Sequence, residues 1–312
     1  QTLDHVRTVE RTRETVYAIY VLDPATRALQ QAVGLRRLIS GDSAALVGSA
    51  AGRREPVSVS PATDREDVAR LIAKYNLLAV PVVDDDRRLL GIVTVDDVID
   101  AMVDETTEDV QKLGGMEALG EPYDQIGFFT MVRKRAGWLS VLLIGEMLTA
   151  SVMQYFEGEL EKAIVLTLFI PLIMSSGGNS GSQATSLIIR ALALRELAVR
   201  DWWRVALREL PTGLTLGAIL GAIGIVRIIV WQKLGLYDYG EHWLLVAATV
   251  GAALVGIVSF GSLTGSMLPF ILTRLGFDPA SASAPFVATL VDVSGLVIYF
   301  SIAALILGGT LL

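Results

Sequence analysis

Beyond Arg135 the sequence becomes a series of five long apolar stretches, and no other feature limits the fold so severely. They cover 138–156, 163 to about 194, 210–230, 243–270 and 284–312. Each is close to the roughly 20 residues a helix needs to cross the hydrocarbon core. Before Arg135 the chain is rich in Asp, Glu and Arg, so a soluble module ahead of an all-α membrane domain is expected. The net charge of −7 argues against a nucleic-acid partner, because phosphate binding needs a basic surface. With no cysteine, disulfides, Cys-ligated zinc and thiol catalysis are excluded. The opening "QTLDHVRTVE" has no apolar core, so no signal peptide is expected there.

The soluble part repeats itself. "AIYVLDPATRALQQAVGLRRLI" (18–39) returns as "AVPVVDDDRRLLGIVTVDDVI" (79–99), with Ala18, Val21 and Asp23 answering Ala79, Val82 and Asp84. Such self-similarity signals two copies of one supersecondary unit. Each copy reads as helix, β-branched strand, Asp turn, strand and helix. The second copy has the helix "DREDVARLIAKY" and a leading strand at "PVSVS". The first has the helix "LDHVRTVERTRETVY" but starts too late for its own leading strand, which implies a fragment of a longer protein.

Charge at the membrane flanks orients the spans. Arg133, Lys134 and Arg135 precede the first, and Arg190, Arg195, Arg200, Arg204 and Arg208 crowd the second link; Arg274 lies in the fourth. The first link, "EGELEK", has only Lys162, and the third only Lys233. Basic residues favour the cytoplasmic side, so the soluble module is expected in the cytoplasm and the C-terminus outside. Arg227 is expected to snorkel from the outer end of the third span. Gly213, Gly217 and Gly221 on the third span, and Gly261 with Gly265 on the fourth, read as helix contacts.

Three groups of residues carry chemistry. The second span holds "PLIMSSGGNSGSQATSLIIRAL" (171–192), whose run of Ser, Gly, Asn and Gln suits a broken helix on a hydrated route, or else a polar seam between helices. The fifth holds Asp292, with Ser294 and Gly295 close by and Ser281, Ser283 and Pro285 toward one end. No deep Lys or Arg offers Asp292 a salt bridge, so it reads as a pore-lining cation ligand, against a protonated side chain in a seam. Glu146 in the first span is a second candidate. The third group is an acidic run. Asp97, Asp100 and Asp104, and then Glu105, Glu108 and Asp109, fall three or four apart, lining helix faces that either hold a divalent cation or stay solvated.

The repeat resembles a pair of CBS domains (a Bateman module), best at "LLAVPVVDDDRRLLGIVTVDDVIDAM". The resemblance implies a nucleotide such as ATP held by Thr94 and Asp97; the alternative is that these two cap the following helix. The first copy has Gly34, Leu35, Arg36 and Arg37 at that place and lacks the acid.

"GGNSGSQATSLIIRALAL" together with "FDPASASAPFVATLVDVSGL" resembles the MgtE family of magnesium transporters, and the order of parts agrees over the whole chain. The fold class implied is a multi-domain membrane protein: an α/β CBS pair at 1–103, an acidic connecting or plug helix within 104–132, and an all-α five-helix domain at 133–312. The family also has an N-terminal helical domain that this chain lacks. The resemblance implies a homodimer in the inner or plasma membrane, selective for Mg²⁺, with its pore on the dimer axis. Asp292 of each subunit would face the other, near the Ala288 carbonyl, Asn179 and Gly295; some relatives carry a second Asn at the Ser182 position. Asp97, Asp100, Glu105, Glu108 and Asp109 match its cytoplasmic Mg²⁺-sensing acids, and Asp278 matches one that shares an ion with Asp109. The plug would run roughly from Glu105 to Gly120. A transporter of Mn²⁺ or Co²⁺ is the alternative. No catalytic residue is expected: His5 and His242 lie outside the spans, and an intramembrane acid pair could only be Asp292 with Glu146.

Overall fold

The computed structural model describes residues 2–9, 16–42, 45–50 and 55–311. Its contacts divide the chain into two compact units, Gln1–Thr106 and Thr107–Leu312.

In the first unit, α1 (Thr2–Val9) covers the start of the first predicted helix, whose continuation lies outside the described residues. Two antiparallel hairpins follow the repeat. One joins β1 (Ala18–Leu22) to β2 (Leu29–Gly34) and leads through α2 (Leu35–Ser40) to the short α3 (Val47–Ala50). After α4 (Arg65–Tyr75), the other joins β3 (Ala79–Val83) to β4 (Leu89–Thr94). The repeated aspartates fold the turns. Asp23 Oδ1 accepts from the amides of Ala25 and Thr26, and Asp84 Oδ1 from that of Arg88. Arg27 (φ 58°) and Arg87 (φ 61°) take the left-handed conformation that such tight turns require.

Asp64 caps α4 by accepting from the Glu66 amide, and Asn76 ends it with φ 50°. Its buried residues Val68, Ala69 and Ile72 join Val59, Val80 and Val98 in the core of this unit. The leading strand predicted at 56–60 is reduced to one parallel bridge, Val59 to Val82.

From β4 the chain enters α5 (Val95–Leu113), which carries every acid of the run. This helix stops at Leu113, short of the Gly120 expected for the plug. Gly115 turns the chain there with φ +75°, a conformation glycine adopts freely, and a Cβ on it would also meet Trp138 and Pro285.

The second unit is built on α6 (Phe128–Tyr155), α8 (Ile170–Ala193), α9 (Trp202–Lys233), α10 (Trp243–Arg274) and α11 (Ala284–Leu307). A short α7 (Glu157–Lys162) and a 3₁₀ turn, Ile164–Phe169, connect the first two. Among the described residues five helical segments are long and apolar enough to cross a membrane.

Helix α10 is the axis of the bundle, packed against α8, α9 and α11, whereas α6 leans on α11 and leaves most of its surface open. Small residues permit this closeness. Gly213, Gly217 and Gly221 of α9 meet Ser259, Val255 and Gly251 of α10, and Gly261 and Gly265 meet the backbone of Gly177 and Gly181 on α8. Arg227, expected to snorkel, lies over the rings of Phe169 and Trp231 at 5.6 and 5.1 Å. Tyr299 is buried and donates to the Leu166 carbonyl at 2.9 Å.

Candidate functional site

The expected break in the second span does not occur: α8 is continuous from Ile170 to Ala193. Its polar residues separate by face. Gly177, Gly178, Ser180, Gly181, Ala184 and Thr185 are buried. Ser180 and Ser262 share a 2.6 Å hydrogen bond, and Thr185 Oγ1 donates to the carbonyls of Gly181 and Gly265 at 2.9 and 2.7 Å. This half is the polar seam between helices.

The other half is open. Ser175, Asn179 and Gln183 follow one another at steps of four and are exposed. Asn179 Nδ2 donates to Ser175 Oγ at 3.3 Å. At mid-helix in a membrane-spanning segment, such a row needs water or protein against it.

Helix α11 flanks this row. Ser283 caps it by accepting from the Phe286 amide, and Pro285 lies in its first turn, where a missing N–H costs nothing. Gly178 approaches Ala288 so closely that a Cβ there would be 3.3 Å from the Ala288 Cβ. Asp292, one turn further on, is half-buried. Its carboxyl lies within hydrogen-bonding reach of Glu146 on α6, where α6 comes close enough for a Cβ on Gly145 to fall 2.5 Å from Thr289 Cγ2. The sequence offered these two acids as the possible intramembrane pair, and their actual juxtaposition depends on how α6 leans on α11. Gly295 is buried and faces Ile257 of α10. Ser182 Oγ donates to the Ala284 carbonyl at 3.2 Å.

The acids of α5 are mostly engaged singly. Asp97 Oδ2 accepts from Thr94 Oγ1 at 2.6 Å and from the Thr94 amide at 3.1 Å, bonds that hold its carboxyl below the ordinary aspartate range. This is the helix cap offered as the plainer reading of the pair. Glu105 pairs with Arg65 at 2.6 Å. Lys112 bridges Glu108 and Asp278, each at 2.5 Å; sequence reasoning passed over this lysine, because its long-range partner lies 166 residues away. Asp100 is exposed and Asp109 half-buried on the same helix. Among the described residues no three Asp, Glu or His side chains gather as a metal-binding group.

The first unit also contains a cleft of about 1120 Å³. It lies between the repeats, lined by Gly34, Leu35, Arg36 and Arg37 of the first and by Leu78, Ala79 and Pro81 of the second, with Tyr20, and not by Thr94 or Asp97. Among the described residues the buried Tyr20 hydroxyl has no hydrogen-bond partner.

Residues 170–302 match the MgtE family, described as a divalent cation transporter, and residues 47–104 match the CBS domain family. The chain is 44% identical over 294 residues to the magnesium transporter MgtE of Thermus thermophilus, covering 94% of this chain and 63% of that one. It is 37% identical over 292 residues to that of Enterococcus faecalis, covering 94% of this chain and 61% of the other. The chain therefore spans less than two thirds of the length of these relatives. A solved structure of the cytosolic domain of the Mg²⁺ channel MgtE in complex with ATP is 42% identical, with a TM-score of 0.30 over 32% of this chain and 40% of that one.

Proposed function

We propose that this chain, whose residues 170–302 match the MgtE family, conducts hydrated Mg²⁺ through a pore between two copies of itself. One observation carries the reading. The row Ser175, Asn179, Gln183 is open beside α11, next to the Gly178–Ala288 contact, and Asp292 follows Ala288 by one turn of α11. A polar row and a carboxylate at membrane depth are costly against lipid, and a water-filled path relieves both.

Selectivity follows from hydration. Mg²⁺ sheds water reluctantly and usually takes one or two carboxylates while keeping several waters. Asp292 from each subunit would hold the hydrated ion across the dimer axis, aided by Asn179 and the Ala288 carbonyl. Gly295, closed against α10, would keep α11 near the bundle. Glu108, Asp109 and Asp278 would sense cytoplasmic Mg²⁺, together with Asp97, Asp100 and Glu105 on the same helix α5. Ion binding to one arrangement of that helix shifts the population toward it, and we assign that arrangement to the closed pore. The basic flanks support a cytoplasmic CBS module with the C-terminus outside. ATP is assigned to that module as a modulator.

Mg²⁺ uptake into proteoliposomes tests the conduction. Asp292→Ala should lose it, and unchanged uptake would overturn the assignment. Transport of Mn²⁺ or Co²⁺ is the competing reading, separated by whether these ions compete with Mg²⁺ or replace it.

A further inference from the structure

A single ammonium group fastens the last turn of α5 to the link between α10 and α11. Lys112 Nζ lies 2.5 Å from Glu108 Oε1, one turn back on its own helix, and 2.5 Å from Asp278 Oδ2. Asp278 is itself fixed, because its other oxygen accepts from the Ala280 amide at 2.8 Å and caps the 3₁₀ turn Pro279–Ser281. The Lys112 ammonium group is thus held between two carboxylates on different segments.

The neighbours of Lys112 are docked as well. Leu113 packs on the cluster of Ile189, Ala280 and Ala282. A few residues on, Lys134 Nζ donates to the carbonyls of Ala118 and Leu119. The segment after α5 is therefore held by contacts on both sides of Gly115.

Two acids assigned above to Mg²⁺ sensing thus already share a cation that belongs to the chain. A divalent ion and an ammonium group cannot occupy the same carboxylate oxygens, and each repels the other. We infer that Lys112 is a tethered competitor: it clasps α5 to the α10–α11 link by itself, and a divalent cation gains Glu108 and Asp278 together only by displacing it. Lys112 then sets the concentration at which sensing begins. This rests on the reading of Glu108 and Asp278 as sensing acids.

The test is hydrogen–deuterium exchange of residues 107–120 in the full chain, titrated with Mg²⁺, for wild type, Lys112→Met and Lys112→Arg. Methionine keeps the length and removes the charge. The Lys112→Met variant should exchange faster than wild type in chelator and reach protection at a Mg²⁺ midpoint lowered about three- to fivefold, the factor an exposed ion pair supplies. Lys112→Arg should stay near wild type in both respects. A wild type that responds to Mg²⁺ beside a Lys112→Met midpoint that is unchanged or raised overturns the competitor and leaves the sensor standing. A wild type without any Mg²⁺ response removes the sensor reading, and the competitor with it.

Discussion

Ser180 on α8 and Ser262 on α10 share a buried hydrogen bond of 2.6 Å across 82 residues of sequence. Ser180→Ala or Ser262→Ala alone would leave one buried hydroxyl without that partner. Hydrogen bonds between membrane helices are worth about 0.6 kcal/mol on average and up to about 1.7. Each single variant should lower the melting temperature in detergent by a few degrees. The double variant should lose less than the sum of the two, and strict additivity would mean that the hydroxyls do not act as a pair.

A larger effect is expected one step along the same seam. A Cβ at Gly265 would fall on the Gly181 carbonyl, which is backbone and cannot rotate away. Gly265→Ala should therefore push α8 from α10 at a cost of about 1–3 kcal/mol. Gly137→Ala is the control, since nothing lies within 4 Å of its Cβ position. Size-exclusion profiles after heating should show early loss for the Gly265 variant and none for the control.

This seam also marks what the sequence could tell. Hydropathy and length located all five spans, because burial in lipid is written residue by residue in composition. The repeat located both hairpins, because each carries its own Asp turn. The second span was harder. Its run of Ser, Gly and Asn suggested a break, yet glycine and serine in the run fit a continuous helix when another backbone comes close. Which residues face that backbone depends on helix rotation, and no local pattern records it. The same holds for Asp292 beside Glu146 and Lys112 beside Asp278, pairs made by packing between distant segments.

Asp292 and Glu146 should differ in weight although they lie together. Asp292 stands half-buried on α11, which packs on α8, whereas Glu146 is exposed on α6, the helix least enclosed by the bundle. Asp292→Asn, which keeps the shape and removes the charge, should lower Mg²⁺ flux by about tenfold or more, the loss of roughly 1.4 kcal/mol or more of ion binding. Glu146→Gln should change it by less. Flux measured in proteoliposomes at equal protein density decides, and a larger effect at Glu146 would move the ion site toward α6.

The Thr94–Asp97 cap predicts a pH dependence. Hydrogen bonds from the Thr94 hydroxyl and amide hold the folded-state pKa of Asp97 below its unfolded value of about 3.9. A depressed folded pKa adds stability that is fully present above the unfolded pKa and is lost as pH falls through the folded one. The difference in melting temperature between wild type and Asp97→Asn should be largest near neutral pH and shrink below about pH 4. A constant difference down to pH 3 would remove the carboxylate from the cap.

A nucleotide bound to the CBS repeats should choose the cleft between the two copies that Arg36 and Arg37 line. Thr94 and Asp97 are spent on each other, whereas Arg36 and Arg37 line a space of about 1120 Å³ with the unpartnered hydroxyl of Tyr20 at its wall. Arginine beside an open cleft suits phosphate oxygens, and a charge-assisted hydrogen bond is worth about 1.5–3 kcal/mol. In calorimetric titrations with ATP, Arg37→Ala should therefore weaken binding by about tenfold or more, while Thr94→Ala should leave it within a factor of about three. The reverse order would return the nucleotide to Thr94 and Asp97 and leave this cleft without a ligand.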